Sequence, residues 1–201
     1  MGKEYQINSD TILWNKFRRG DPEAFRAIYN SHVQSLYRFG CHFTNDKALV
    51  KDCVQDIFVK LASSGSGLGS TNNIKLYLFK SLKRKIIKSL DKSGIIGSLD
   101  TAKLPFIYTV SAEEILIDDE SERLRYVQLD RAMSNLSPRQ KEAIYLKFVS
   151  DLSYEELSKV MHMNYQSARN LVFRGMEKLR ESFPNNIFLF FLPSQKLRFK
   201  R

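Results

Sequence analysis

Three helix-start signals in the last third of the chain constrain its fold more than any other feature. The stretches SPRQ, from Ser137, and SYEE, from Ser153, both have the spacing of a capping box. Asn164 precedes another stretch with apolar residues at helical spacing and can serve as the N-cap of that helix. Between the second and third signals there is room for one short helix of about nine residues and a tight turn. Residues 153–180 are therefore predicted to form a helix-turn-helix.

The helix predicted to follow Asn164, NYQSARNLVFRGMEKLR, has two different faces. One face is apolar at helical spacing and is expected to be buried. The other mixes amides, cations and aromatic rings, a combination that suits base edges and phosphates in the major groove. A solvated polar face on an ordinary helical hairpin is the alternative interpretation. The buried positions are predicted to be Ala168, Leu171, Val172, Met176 and Leu179. The candidate DNA contacts are Tyr165, Gln166, Arg169, Asn170, Phe173 and Arg174.

The N-terminal half also has the pattern of helices. Asp10, Asp21 and Asp46 are predicted N-caps, and Pro22 suits the first turn after Asp21. The Gly- and Ser-rich residues 63–73 are predicted to form a flexible loop. A helix with apolar residues four apart follows the loop, at Ile74, Leu78, Leu82, Ile86 and Leu90.

The fold class expected is all-α, with two small helical domains joined by a linker. The predicted boundaries place the first domain at 1–91, the linker at 92–121, the second domain at 122–183 and a tail at 184–201.

Composition favours a polyanionic partner, because the formal net charge is +10 and the sequence pI is about 9.6. No apolar run is long enough for a membrane span, and the N-terminus lacks a signal-peptide core, so a cytoplasmic protein is expected. Cys41 and Cys53 are expected to be reduced core thiols. The three histidines lack metal-ligand spacing, and no nucleophile pattern is evident. No metal, no cofactor and no enzymatic activity are therefore expected.

Both halves resemble parts of one family, the bacterial RNA polymerase sigma factors. Residues 136–181 resemble region four. The stretches GDPEAFRAIYNSHVQSLYRFG, LVKDCVQDIFVKL and YLFKSLKRKII resemble successive segments of region two. Two such regions joined by a linker resemble the extracytoplasmic-function group, and YQSARNLVFR is similar to members common in Bacteroidetes. The resemblance implies a protein that binds core RNA polymerase and directs promoter-specific transcription initiation.

The resemblance also implies partners and site residues. Asp52, Gln55 and Asp56 match positions that bind the clamp helices of the polymerase beta-prime subunit, and region four implies contact with the beta flap. Residues 63–73 match a loop that captures a flipped base of the downstream promoter element. An anti-sigma factor, which holds many relatives inactive, is a further expected partner besides promoter DNA.

The helix after the loop is implied to contact the downstream element, since lysines suit phosphates and aromatic rings suit bases. From the residues alone, a basic amphipathic helix would suit a membrane surface equally well. The implied contacts are Tyr77, Lys80, Lys83, Arg84 and Lys88.

The rival interpretation is a polymerase-independent helix-turn-helix regulator whose N-terminal half binds a ligand or forms a dimer. It predicts tight duplex binding by the protein alone, as a symmetric dimer on a palindrome.

Overall fold

The computed structural model describes residues 2–92, 105–108 and 130–182. These residues fall in two compact units, with the division between Leu104 and Pro105. Within the described residues all regular structure is helical, which confirms the predicted all-α class. Most of the predicted linker and the whole tail from 184 lie outside the described residues. No helix among those described is both long and apolar enough to cross a bilayer.

The described residues of the N-terminal unit form four α-helices. They are α1 (Gly2–Arg18), α2 (Pro22–Cys41), α3 (Lys47–Ser64) and α4 (Ile74–Lys92), with a 3₁₀ turn at Gly65–Gly67.

Two of the predicted caps are formed. The Asp21 carboxylate accepts hydrogen bonds from the backbone N–H groups of Glu23 and Ala24, at 2.9 and 3.3 Å. Asp46 accepts from the N–H of Leu49 at 3.0 Å. Each acid satisfies backbone donors that the first turn of a helix leaves without a partner. The starts of α2 and α3 are therefore encoded locally.

The core of this unit is built around α4, which packs against α2 and α3. The five apolar positions spaced four apart along α4 are all at most 1% exposed, as predicted. Helix α2 comes close to α3 at Gly40, where an added Cβ would lie 2.6 Å from Cγ1 of Val50. A glycine at this position therefore permits the close packing of the two helices.

Asp10 does not begin a helix, so that prediction was wrong. Helix α1 runs without a break through Asp10. Its carboxylate instead accepts a hydrogen bond at 3.0 Å from the backbone N–H of Ile74, the first residue of α4. Asp10 therefore caps a helix 64 residues further along the chain.

In the described part of the C-terminal unit, residues 130–134 are helical and three complete α-helices follow: α5 (Pro138–Ile144), α6 (Tyr154–Val160) and α7 (Tyr165–Ser182). A π-helix at Tyr145–Val149 continues from α5. Helix α7 packs against α5 and α6.

Both capping boxes are present. The Ser137 hydroxyl accepts from the N–H of Gln140, whose side chain accepts from the N–H of Ser137. Ser153 and Glu156 make the same reciprocal pair at the start of α6. The sequence therefore predicted the starts of α5 and α6 correctly.

Phe106 lies within the predicted linker, yet it packs into the C-terminal unit. It is 2% exposed, and its ring centroid lies 5.8 Å from that of Tyr145. The short segment 105–108 thus belongs to the C-terminal unit.

Candidate nucleic-acid interface

The helix-turn-helix is formed by α6, a turn over residues 161–164, and α7. His162 makes the turn in the left-handed region, with φ of 53°, a conformation in which glycine is commoner. The Asn164 carboxamide then accepts from the N–H of Ser167 at 2.7 Å and caps α7 as predicted.

The apolar stripe of α7 faces inward, with one difference from the prediction. Ala168, Val172, Met176 and Leu179 are buried, whereas Leu171 is half-buried. Gly175 is also buried, because α7 passes close to Ile144 of α5 there.

All the candidate DNA contacts on α7 are exposed. Tyr165 is 46% and Phe173 58% exposed, high values for aromatic side chains. Nε2 of Gln166 donates to Oδ1 of Asn170 at 3.0 Å, one helical turn away. This bond aligns the two amides while leaving an acceptor on Gln166 and a donor on Asn170 for other partners. The pair matches the donor-and-acceptor edge that adenine presents in the major groove.

Aromatic and cationic groups on the preceding elements extend this surface. Tyr154, at the start of α6, makes an edge contact with Tyr165 at 6.2 Å between ring centroids. Lys147 of the π-helix lies 5.1 Å from the Tyr154 ring centre and donates to the Leu152 carbonyl at 3.1 Å. Tyr154 also lines a shallow concavity together with Arg169 and Phe173. The sequence reasoning missed Tyr154, although its position just after Ser153 was a usable signal.

In the N-terminal unit, α4 presents a basic face. Arg84 and Lys88 are exposed and Lys80 is half-buried. Tyr77 is half-buried, and its ring centroid lies 5.2 Å from that of Trp14.

Lys83 requires a correction, because it is only 5% exposed. It lies one helical turn from both Phe79 and Ile87, which are buried, and so falls on the inner side of α4. The other four candidate contacts of α4 are exposed or half-buried.

Residues 63–73 make specific contacts that their composition did not predict. The Trp14 indole N–H donates to the Gly69 carbonyl at 2.9 Å. The Asn73 carboxamide accepts from the N–H of Leu76 at 2.7 Å and caps α4. Thr71 Oγ1 accepts from the N–H of Asn73 at 3.1 Å. Asn73 is therefore engaged in capping, whereas Asn72 is exposed.

A second surface lies on α3. Asp52, Gln55 and Asp56 are exposed and share one face of the helix, as the spacing predicts. Asp56 forms an ion pair of 2.5 Å with Lys85 of α4. Val59 continues the face one turn later and is 58% exposed, a feature missed by the sequence reasoning. An exposed valine among acidic and amide groups suits a protein partner with both apolar and basic groups.

Neither cysteine forms a disulfide. Burial raises the pKa of both thiols, and Cys53 contacts the Ser89 hydroxyl at 3.6 Å. Raised thiol pKa values disfavour the reactive thiolate. Among the described residues, no group of His, Cys, Asp and Glu side chains could hold a metal ion.

Solved structures of known proteins share this fold. CnrH in complex with the cytosolic domain of CnrY is similar with a TM-score of 0.56 and 18% identity, over 86% of this chain and 95% of that one. The sigma factor RpoE in complex with the anti-sigma factor NepR from Bartonella quintana is similar with a TM-score of 0.57 and 21% identity, over 81% and 98% of the two chains. At these identities the likeness concerns the fold alone.

Proteins with similar sequences include RNA polymerase sigma factors. RNA polymerase sigma factor SigV of Bacillus subtilis is 25% identical over 149 residues, 74% of this chain and 84% of that protein. ECF RNA polymerase sigma factor SigM of the same organism is 24% identical over 169 residues, 80% of this chain and 95% of that protein.

Two family models match the chain in the order seen in the structure. Sigma-70 region 2 matches residues 28–94, and Sigma-70 region 4 matches residues 126–179. Together the two matches cover more than half of the chain, which belongs to the sigma-70 family of RNA polymerase sigma factors, in its extracytoplasmic-function group.

Proposed function

We propose that the chain binds core RNA polymerase through its N-terminal unit and directs initiation at promoters read by both units. The observation that carries this proposal is the presence of both sigma regions in order, each with an exposed face of suitable chemistry. The polymerase supplies the catalytic chemistry, and this chain supplies recognition. We therefore place the protein in the cytoplasm and assign it no enzymatic activity.

The C-terminal unit is proposed to read the upstream promoter element. The exposed N-terminal half of α7 offers Gln166 with Asn170 for adenine and Arg169 for guanine. Arg174 lies more than a turn further along and suits a phosphate. By analogy with the family, this unit also contacts the beta flap.

The N-terminal unit is proposed to bind the beta-prime clamp helices through Asp52, Gln55, Asp56 and Val59. The exposed carboxylates suit basic groups of the partner, and the exposed valine adds apolar area. Because Asp56 is already paired with Lys85, the partner would have to compete for it. Asp52 and Gln55 are therefore expected to contribute more to binding than Asp56.

The downstream element is proposed to lie on α4 and the adjoining loop. Arg84, Lys88 and Lys80 provide cationic groups for the phosphates of the displaced strand, and Tyr77 provides a ring. Neither unit alone needs high affinity, since tethering both to one polymerase raises their effective concentration.

Run-off transcription with purified bacterial core polymerase on a library of promoter fragments tests the proposal. Initiation at specific fragments that depends on the protein is the expected result. An Asp52→Ala and Gln55→Ala double variant should lose polymerase binding and initiation while keeping its helical content. The control is Glu23→Ala, which removes a similarly exposed acid from α2.

The outcome that would overturn the proposal is a duplex footprint made by the protein alone, with no stimulation of the polymerase. That result would favour the polymerase-independent regulator. An anti-sigma factor as a partner, and a Bacteroidetes-like subtype, remain expectations of the resemblance.

A further inference from the structure

Helix α1 makes two contacts with the chain segment between α3 and α4. Trp14 donates its indole N–H to the carbonyl of Gly69, in the middle of residues 63–73. Asp10, one turn earlier on α1, accepts from the N–H of Ile74, where that segment ends. These contacts join residues 55 and 64 positions apart in the sequence, so the local composition of the loop does not encode them.

Trp14 also connects the loop to a candidate DNA contact. It is 1% exposed, and its ring packs on Tyr77, with 5.2 Å between centroids. A second ring, Phe17, supports it from the same helix at 5.2 Å. The indole thus fixes at once the backbone at Gly69 and the ring of Tyr77. Helix α1 itself precedes residues 28–94, the part matched by the region 2 family model.

We propose that α1 is a brace for the strand-capture loop, with Trp14 and Asp10 as positioning residues that hold residues 63–73 ready for an unpaired base. This inference rests on the proposed function. A loop of glycine and serine that ordered only on binding would lose backbone freedom at that step and weaken the complex. Two hydrogen bonds to a packed helix impose that order beforehand. The affinity for the downstream strand should therefore depend on side chains that do not touch the strand.

The test uses holoenzyme assembled from core polymerase and the full chain. Its affinity is measured for a fluorescent single-stranded oligonucleotide carrying the downstream element found in the transcription assay. Trp14→Phe keeps an aromatic ring and removes the donor, and Asp10→Ala removes the acceptor. Trp14→Phe should weaken strand binding by about two- to ten-fold, the range expected for one neutral hydrogen bond. Asp10→Ala should weaken it by at least as much, because its hydrogen bond is to a charged carboxylate. The control is Ile12→Ala, on the same helix but 56% exposed.

Further measurements distinguish positioning of the loop from a general loss of stability. Affinity for core polymerase and for the upstream duplex should stay unchanged in both variants. Strand affinity should partly recover when Gly67→Ala and Gly69→Ala are added to Trp14→Phe. An added Cβ at either glycine meets no atom within 4 Å, and alanine narrows the backbone freedom of the loop.

The brace can also be measured without the polymerase, because Trp14 is the one tryptophan of the chain. Its fluorescence in the free protein should resist quenching by acrylamide, and Asp10→Ala should raise the quenching relative to Ile12→Ala. Unchanged quenching and unchanged strand affinity in Asp10→Ala would overturn the brace. Equal losses of strand, duplex and polymerase binding would overturn it too, because they would indicate general destabilisation. If wild-type holoenzyme does not initiate, the proposed function fails, and the quenching result still decides the brace.

Discussion

At the scale of single residues, the turn of the helix-turn-helix contains a strained position. His162 has φ of 53°, and an L-residue in the left-handed region pays a steric cost that glycine avoids. We expect His162→Gly to raise the free energy of unfolding of the C-terminal unit by about 0.5–1 kcal/mol, after the greater freedom of glycine in the unfolded chain is counted. Urea denaturation followed by circular dichroism measures it.

His162→Ala is the matched control, because it removes the same imidazole but keeps a Cβ. Its stability should not exceed that of the wild type. If the alanine variant were as stable as the glycine variant, the backbone strain would not be the cause.

Arg169 and Arg174 are predicted to contact different parts of the DNA. Arg169→Ala should lower discrimination between upstream sequences by about 1–3 kcal/mol, as expected for loss of a bidentate contact with a base. Arg174→Ala should instead weaken binding to all sequences alike, because phosphates carry no base information. Binding of holoenzyme to single-base variants of the upstream element measures both. A uniform loss with Arg169→Ala would make it a phosphate contact.

Because of His32, the free energy of unfolding of the N-terminal unit is predicted to depend on pH. Burial lowers the pKa of His32 below its ordinary value of 6.5; Asp10 raises this pKa and Lys75 lowers it. Below pH 6.5 the unfolded chain therefore binds more protons at this site than the folded chain, and the free energy of unfolding falls as the pH falls. Urea denaturation followed by Trp14 fluorescence, about one pH unit above and below 6.5, measures the effect.

His32→Gln cannot protonate in this range and should lose part of the decline. An identical pH dependence in the variant and the wild type would show that other groups cause it.

At the scale of helices, two buried glycines are predicted to tolerate a methyl group differently. In α2, a Cβ at Gly40 would lie 2.6 Å from Cγ1 of Val50 and 3.2 Å from Cδ1 of Ile86. The β-branched valine is stiff, so Gly40→Ala should destabilise the N-terminal unit by about 1–3 kcal/mol despite its better helix propensity. Urea denaturation followed by Trp14 fluorescence measures this.

Gly175→Ala in α7 is the matched comparison. Its new Cβ would lie 2.8 Å from Cδ1 of Ile144, a terminal methyl that moves by rotation about χ2 alone, unlike Cγ1 of a valine. Alanine is also a better helix former by about 1 kcal/mol, so the net change should be within about 0.5 kcal/mol of zero. Equal costs at the two positions would contradict this account.

How well the sequence predicted each helix depended on whether its signals were local. The caps at Asp21, Asp46 and Ser153 were recognised because each acts within three residues of itself. Asp10 was misread because its partner is the N–H of Ile74, in another helix.

Lys83 was misread for a different reason. It was assigned by residue type, while its period placed it one turn from the buried Phe79. The composition of residues 63–73 predicts a flexible loop, and no local signal indicates the hydrogen bond from Trp14 to Gly69. The face on α3 was implied by the family resemblance, which did not include Val59, one turn beyond Gln55.

At the scale of the whole molecule, Phe106 determines how much chain is left to connect the two units. Helix α4 ends at Lys92, and the segment beginning at Pro105 belongs to the C-terminal unit. Twelve residues, 93–104, lie between them, and a fully extended chain from Lys92 to Pro105 would span at most about 45 Å. We therefore propose that the contact of Phe106 with Tyr145 makes the effective connection shorter than the predicted linker at 92–121.

Phe106→Ala is predicted to release this segment and lengthen the connection. If it lengthened as far as Asp130, the effective concentration of one unit near the other would fall by at most about five-fold. Initiation should weaken at promoters with the best spacing between the two elements and be retained better at promoters with altered spacing. Run-off transcription on promoters whose spacers differ by single base pairs measures this. Ile107→Ala, at a neighbouring residue that is 40% exposed, is the control and should leave the profile unchanged.

A connection of this length would restrict the promoters at which the protein can initiate transcription. Each added base pair moves the two promoter elements about 3.4 Å apart and turns one about a tenth of a revolution around the other. If Phe106 limits the length of the connection, the two units can bind both elements together over only a narrow range of spacings. The packing of Phe106 against Tyr145 would then select promoters by the spacing between their two elements as well as by the sequences of those elements.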